Sequence, residues 1–535
     1  MNKFTRYTVG AFNRLRRLGI NWRIRKKSEE VRVNIHKSDQ APVIFFNASS
    51  RINGLSLNAA FNMLTAWSLK LQGVPVVHFA CNHGMTRCVM GTDNKNEKLS
   101  PPCNNCLRQS KAIYNDGDTY WFEFESDSAL DKAIFDLTVE DLVRFSWLGV
   151  PLGELVLPSA RWILRRHHLK EDIKTKTIYK EYIRSAWNIR NKFSVLVDEL
   201  KPQSVVVFNG MLFPEATARW VAKQHGIPSF SHEVGIAPNS AFFTEGSATA
   251  YPVVIPDDFQ LSEEQNAKLD SYLSKRFKGD FNMAGVKFWP EMSGLDKEFL
   301  DLAKNFKQIV PVFTNVIFDT SQPHANVVFP HMFTWLDEVL QIAEKHQETL
   351  FIIRAHPDES RPGKASQESV ADWALARNVE SLPNVVFVGP DEYFSSYEMI
   401  QRAKFIMIYN STIGLEASIM GAAVLCAGKA RFTQLDTVFF PNSQAAFHVQ
   451  AESFLNSEKI YLPNVHKENA RRFLLFQLYR TSLPFDAFLQ PDGIWNGFVK
   501  LKNFEQQALL PTNSKTMQAI SDGILKKGDF LLKED

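Results

Sequence analysis

Two apolar runs that end abruptly in polar groups constrain this chain most. One is Phe351-Ile352-Ile353-Arg354-Ala355-His356-Pro357. The other is Phe405-Ile406-Met407-Ile408-Tyr409-Asn410-Ser411-Thr412-Ile413-Gly414-Leu415-Glu416-Ala417. Runs of this kind read as parallel strands buried on both faces, with their C-terminal ends delivered to a ligand crevice. The second run turns into a helix at Ser411 or Thr412, so hydroxyls and backbone N–H groups share one spot, a natural seat for phosphate. Arg354 and His356 alternate along the first and can share a face, before Pro357 forces the chain out of the sheet. A guanidinium grips phosphate oxygens by its fork, and an imidazole can donate to a leaving group. Asn410, Ser411, Thr412 and Glu416 complete the candidate donor set. Glu416 reads either as a ribose contact or as an ordinary first-turn acid favoured by the helix dipole.

At 535 residues the chain is long enough for two or three domains. Strand and helix patterns alternate twice, which implies an α/β protein with two Rossmann-like, doubly wound parallel sheets and helical additions. The first series includes strands at Val43–Asn47, Val74–Phe79, Ser204–Phe208 and Ile227–Ser231. The second includes strands at Ile309–Phe313, Leu350–Arg354, Val385–Val388, Phe405–Tyr409 and Ala422–Cys426. The expected organisation is a basic amphipathic segment over 1–40 and a first Rossmann-like domain over 41–250, interrupted by a cysteine-bearing insertion at 80–107. A polar, irregular linker over 251–307, a second Rossmann-like domain over 308–450 and a helical tail over 451–535 follow.

Charge is distributed unevenly. Residues 1–27 hold nine Lys or Arg and no acid, and removing those nine from the overall +3 leaves −6 for the rest. A net negative body argues against nucleic acid as a partner. Phe4, Tyr7, Ala11, Leu15, Leu18 and Trp22 recur at helical spacing among the basic residues. That pattern reads either as adhesion to an anionic membrane surface or as a helix packed on the body with a solvated basic face. With no apolar run long enough to span a bilayer and no apolar leader segment, the expectation is a cytoplasmic protein, peripheral at the inner membrane face.

Four of the five cysteines cluster as Cys81-x6-Cys88-x14-Cys103-x2-Cys106. Thiolates at such spacing can surround a structural Zn²⁺ or hold an iron–sulfur cluster. Cys426 lies inside a strand and reads as core.

The Arg354–Pro357 and Tyr409–Ala417 motifs, with Gly421 to Gly428, resemble the capsule polysaccharide biosynthesis family, which includes bacterial Kdo transferases of capsule assembly. The His-Pro and Ser/Thr pieces are similar to the nucleotide-binding motifs of bacterial sialyltransferases. Thr314–Asp319 and Phe208-Asn209-Gly210 resemble the same capsule family, so the likeness covers most of residues 200–430. It implies a GT-B glycosyltransferase with the donor, a CMP-linked acidic sugar first among candidates, bound to the second domain. The acceptor, a growing surface polysaccharide or lipid-linked glycan, would bind the first domain. It also implies a catalytic base at Glu233, ahead of Val234-Gly235, with His232 standing where sialyltransferases carry a second acid. Departure of the nucleotide, assisted by His356, would need no metal ion. Two other readings share the pattern: a sugar-nucleotide epimerase of similar architecture, and a non-catalytic subunit of a polysaccharide assembly complex.

Overall fold

The computed structural model describes residues 3–33, 38–48, 52, 54–114, 118–277, 294–392 and 394–533. Chain order gives β1 (Val43–Asn47), β2 (Leu55–Ser56), β3 (Val76–Cys81), β4 (Thr119–Phe122), β5 (Ser204–Phe208), β6 (Ser229–Val234) and β7 (Ser240–Glu245). The second series is β8 (Gln308–Phe313), β9 (Thr349–Arg354), β10 (Val385–Val388), β11 (Ile406–Ile408) and β12 (Val424–Cys426). The tail adds β13 (Leu483–Pro484), β14 (Leu489–Pro491) and β15 (Phe498–Leu501).

The first sheet has the order β13-β7-β6-β5-β1-β3-β4. Its strands from β6 to β4 run parallel, and β7 and β13 extend the β6 edge antiparallel. All five residues of β1 are buried, as an apolar run between two parallel neighbours requires. From β1 the chain passes to β3 on one side and later to β5 on the other. Such a reversal opens a crevice at the strand C-termini. The second sheet, β10-β9-β8-β11-β12, is parallel throughout. Its reversal falls at β8, between β9 and β11. Two doubly wound sheets are thus present, each covered by helices on both faces.

Close packing at the β11 crossover explains one glycine. A Cβ on Gly414 would lie 2.3 Å from Ile408 Cδ1, so only a bare Cα lets the helix Ile413–Met420 sit that close to the strand.

The tail returns to the first sheet. The helix Asn464–Leu475 packs on Ile413–Met420, a π turn covers Phe476–Arg480, and β13 then pairs with β7. Further on, the helix Lys515–Lys526 packs on Leu57–Leu71, and β15 pairs with β2. That last pairing makes Leu55–Ser56 a strand where the sequence pattern suggests helix. The helix starts at Leu57 instead, capped by the Ser56 hydroxyl, which accepts from Ala59 N at 3.3 Å.

Residues 251–307, expected to be irregular, carry the helices Glu263–Phe277 and Lys297–Ala303. The first buries Leu269 and Leu273, one turn apart, in a core shared with the second sheet. Residues 278–293 of that expected linker, and residues 1–2 and 34–37 of the N-terminal segment, lie outside the described residues.

Lys3–Val33 forms one helix; the side chains of Phe4, Tyr7 and Ala11 lie outside the described set. Ile20, Ile24 and Val31 are buried against the body, and Arg16 pairs with Asp492. Leu15, Leu18 and Trp22 are exposed on another face. Among the described residues, no helix is long and apolar enough to cross a membrane.

Candidate active site

The second sheet brings its polar strand ends together at β8, β9 and β11. Asn315, just past β8, donates its Nδ2–H to Asn410 Oδ1 at 2.8 Å, and Thr314 Oγ1 donates to the Arg354 carbonyl at 2.9 Å. Arg354 is buried, and burial lowers its pKa to about 10, opposed by nearby Glu392. It remains a cation at neutral pH.

His356 caps the short turn Pro357–Glu359, and its Nδ1 accepts from Asp358 N at 3.1 Å. Nδ1 therefore carries the lone pair, and the proton of the neutral ring sits on Nε2. Burial holds the ring pKa down, against Asp358 and Asp319, so the imidazole serves as a neutral donor. Ser411 is half-buried and Thr412 exposed. Thr412 is the N-cap of Ile413–Met420 but makes no side-chain cap bond, so its hydroxyl does not occupy the start of that helix.

Glu416 is engaged within the protein. One carboxylate oxygen accepts from Arg276 Nε at 2.7 Å, and the other from the Tyr397 hydroxyl at 2.5 Å. Both oxygens are engaged by the helix Glu263–Phe277 and its neighbour, 140 residues away in sequence for Arg276.

In the first sheet, Glu233 lies near the end of β6, half-buried. Its Oε1 accepts from Asn58 Nδ2 (3.1 Å) and Val234 N (2.9 Å), and its Oε2 from Asn209 Nδ2 (3.0 Å). Asn209 holds a left-handed conformation at φ 59° just after β5, which Asn tolerates better than most residues. Two side-chain amides and one backbone amide thus orient the carboxylate. Arg219 donates Nη1 to the Gly210 carbonyl at 2.8 Å. His232 is buried beside Asn62 (3.4 Å), and burial lowers it to about 3, so it stays neutral.

Several residues around these positions carry no sequence motif. Glu215, at the start of the helix Phe213–Gln224, is buried, and burial together with the charge of Glu233 pushes it up to about 8. His324 Nε2 lies 3.0 Å from Thr249 Oγ1 and 3.3 Å from Ser247 Oγ, joining the second half of the chain to the first. Burial lowers its pKa, reinforced by Arg219 and Lys429. These two cations therefore approach His324 from opposite sheets. Contacts run without a break from Glu233 to Asn209, whose carbonyl accepts from Ala248 N (3.2 Å). They continue through Ser247 and Thr249 to His324, and through Gln322 Nε2 to Asn410 Oδ1 (3.5 Å). Side chains at the polar ends of both sheets are thereby linked through the helix Gln322–Ala325.

The four clustered cysteines also converge. Cys81, Cys88, Cys103 and Cys106 line one cavity of about 240 Å³, with His83. Gly84 N donates to Cys81 Sγ (3.3 Å) and Gly91 N to Cys88 Sγ (3.2 Å), while Cys103 opens the helix Cys103–Ile113. Burial pushes the Cys81 thiol up to about 12 and raises Cys88 as well. Among the described residues, the one group of His, Cys, Asp or Glu whose ligand atoms all lie within 4.8 Å of one another is a different one, His167, His168 and His331.

No protein-family model matches the chain. It is 25% identical over 337 residues to Protein FixF of Sinorhizobium fredii, covering 60% of this chain and 73% of that protein. Among solved structures, the Thermosulfurimonas dismutans KpsC beta Kdo 2,4 transferase aligns at TM-score 0.35 and 12% identity, over 56% of this chain and 84% of its own. The KpsC beta Kdo 2,7 transferase of the same organism aligns at TM-score 0.32 and 13% identity, over 63% and 90%. A UDP-GlcNAc 2-epimerase from Neisseria meningitidis, bound to UDP-GlcNAc, aligns at TM-score 0.26 and 12% identity, over 81% and 98%. All these scores are below 0.5, and the fold assignment rests on the two sheet orders themselves.

Proposed function

We propose that this chain is a GT-B glycosyltransferase moving a sugar from a nucleotide-sugar donor, a CMP-linked acidic sugar by preference, to a growing surface polysaccharide or lipid-linked glycan. One observation supports the reading: a carboxylate oriented by amides (Glu233) and a neutral imidazole with its proton on Nε2 (His356) belong to the ends of two different sheets whose side chains are linked through the helix Gln322–Ala325, and in this reading the two ends face one cleft. A site built only to hold a nucleotide has no use for the first of them. In this reading residues 41–250 bind the acceptor and residues 308–450 the donor.

Glu233 accepts the proton of the acceptor hydroxyl as that oxygen attacks the anomeric carbon. The bond from that carbon to the nucleotide phosphate breaks, and negative charge grows on the departing oxygens. Arg354, the Nε2–H of His356, Asn410, Ser411, Thr412 and the open start of Ile413–Met420 stabilise that charge. Lys429 and Arg219 add positive potential along the cleft. These groups suffice for the leaving phosphate without a divalent cation. Glu416 has no part in donor binding, because Arg276 and Tyr397 occupy its carboxylate.

Two accessory features join the proposal. The four cysteines hold a structural Zn²⁺, supported by the N–H···S bonds at Cys81 and Cys88 and their shared cavity. The exposed Leu15, Leu18 and Trp22, set among basic residues, rest on an anionic membrane surface at the cytoplasmic face.

The test is incubation with CMP-, UDP- and GDP-linked sugars, with and without a glycan acceptor. Acceptor-dependent release of one nucleotide supports transfer. An epimerised sugar formed without any acceptor would replace this reading by the epimerase one, and failure of every nucleotide to raise the melting temperature would leave only a non-catalytic role.

A further inference from the structure

Away from the cleft floor, three histidines from two parts of the chain form a triangle. His167 and His168 lie in the loop between the helices Leu152–Leu164 and Ile173–Leu200, on the first sheet's side. His331 caps the helix Met332–Lys345 on the second sheet's side. Their ring centroids are 4.9 Å (167–168), 4.7 Å (167–331) and 4.7 Å (168–331) apart. One ligand nitrogen from each lies within 4.8 Å of the others. We propose that His167, His168 and His331 form a binding site for a divalent transition-metal ion of the Zn²⁺ class, which clamps the two halves of the chain together.

Two observations carry this assignment. The first is Glu368. Its Oε1 lies 2.5 Å from His168 Nδ1, and its Oε2 accepts from the backbone N–H groups of His167 (2.8 Å) and His168 (3.0 Å). A carboxylate on Nδ1 fixes that proton and leaves the Nε2 lone pair of His168 free for a cation. Metal-binding histidines are commonly held this way by an outer carboxylate. Glu368 is a positioning residue in this arrangement.

The second observation is an orphaned atom. His167 is buried, and its Nδ1 has no hydrogen-bond partner among the described residues. Buried polar atoms rarely stay unsatisfied, and a bound cation would satisfy this one. Nε2 of His167 lies 3.3 Å from Arg161 Nη2, while Arg161 Nε donates to the His167 carbonyl at 2.9 Å. A metal on Nδ1 puts the ring proton on Nε2, so Nη2 must withdraw while the shorter Nε bond keeps the arginine in place. His331 likewise exchanges a long cap contact from Thr334 N to Nδ1 (3.3 Å). Both contacts surrendered are at the long end of the hydrogen-bond range.

The site is tied to the segment that follows His356 and to Phe318, both in the proposed donor half. Gln367 N donates to the Arg165 carbonyl at 2.8 Å, and the Arg165 guanidinium stacks on Phe318 at 5.0 Å. A metal here would hold that segment against the first sheet's helices, and this role does not depend on which sugar the cleft takes.

Cobalt(II) separates this site from the cysteines, because thiolate ligands add an intense near-ultraviolet charge-transfer band that imidazoles do not. Metal-stripped protein is titrated with Co²⁺, followed by Zn²⁺ competition. The expected result is visible d–d intensity that keeps rising after the thiolate band has saturated or before it appears, abolished by Zn²⁺. His168→Ala, an exposed position that tests the site without disturbing the fold, and His331→Asn, which retains a helix cap, should each weaken binding at least about tenfold. Glu368→Gln should weaken it by about 10–100-fold with the band shape unchanged. Visible bands that persist at full affinity in both histidine variants, or a titration showing thiolate bands alone, would overturn the proposal.

Discussion

The backbone N–H of Asp358 donates to Nδ1 of His356 across 3.1 Å, so a main-chain atom decides which nitrogen of the proposed leaving-group donor carries the proton. Substituting His356→Asn keeps an N-cap acceptor and removes the Nε2–H. Sugar transfer should fall by about 10²-fold or more, the usual loss on removing one donor to developing negative charge. The melting temperature should stay close to that of the parent. Unchanged initial rates would remove His356 from the mechanism.

Glu233→Gln keeps the size and most hydrogen-bonding capacity of a side chain already surrounded by Asn58 and Asn209. Transfer should drop by about 10²–10⁴-fold, the range for loss of a general base. Stabilisation by the donor nucleotide should be retained, since the base belongs to the other sheet. A variant that transfers normally, or one that loses nucleotide binding instead, would place the carboxylate in another role.

Glu215 gives a pH signature. Its folded pKa is raised to about 8 by burial and by Glu233, so the folded state binds a proton the unfolded chain releases near the ordinary glutamate value. The associated stability is fully present below about pH 4.3 and is lost as pH rises through about 8. Glu359, also raised to about 8 by burial, contributes in the same direction. Glu215→Gln should therefore flatten, without abolishing, the decline in denaturant stability over that window, by on the order of 5 kcal/mol. Identical slopes for variant and parent would mean that Glu215 is ionised in the fold.

If the cysteines hold zinc, purified protein should contain about one equivalent that resists mild chelation, since structural sites bind tightly. Cys103→Ser should lower both the metal content and the thermal midpoint. Metal-free protein with an unchanged midpoint would make the quartet four reduced thiols around a cavity.

For the N-terminal helix, the double substitution Leu18→Ser and Trp22→Ser removes two exposed apolar groups that the body does not bury. Stability should change by no more than about 0.5 kcal/mol each, while co-sedimentation with anionic liposomes should fall. Equal sedimentation would assign the helix to packing alone, through Ile20, Ile24 and Val31.

The amino-acid sequence determined the two α/β series by itself. Val43–Asn47, Ser204–Phe208, Met332–Lys345 and Val385–Val388 fall where apolar patterning puts them, because a strand buried on both faces or a one-faced helix writes its environment into its own residues. The ends of those strands, Arg354, His356 and Asn410 to Thr412, were legible for the same reason: an apolar run that stops at polar groups marks where the sheet meets solvent. The antiparallel edge of β7 and β13 was not, since it pairs segments some 240 residues apart (Leu483 with Ala241) through backbone groups that any sequence carries. Nor was the fate of Glu416, whose first-turn position suits a ligand contact equally well until Arg276 arrives from the helix Glu263–Phe277. Glu215 beside Glu233, His324 between Arg219 and Lys429, and the three histidines, two of them held by Glu368, likewise have no local signature. Their chemistry comes from burial and from neighbours brought in over long sequence separations, and only the tertiary structure decides those.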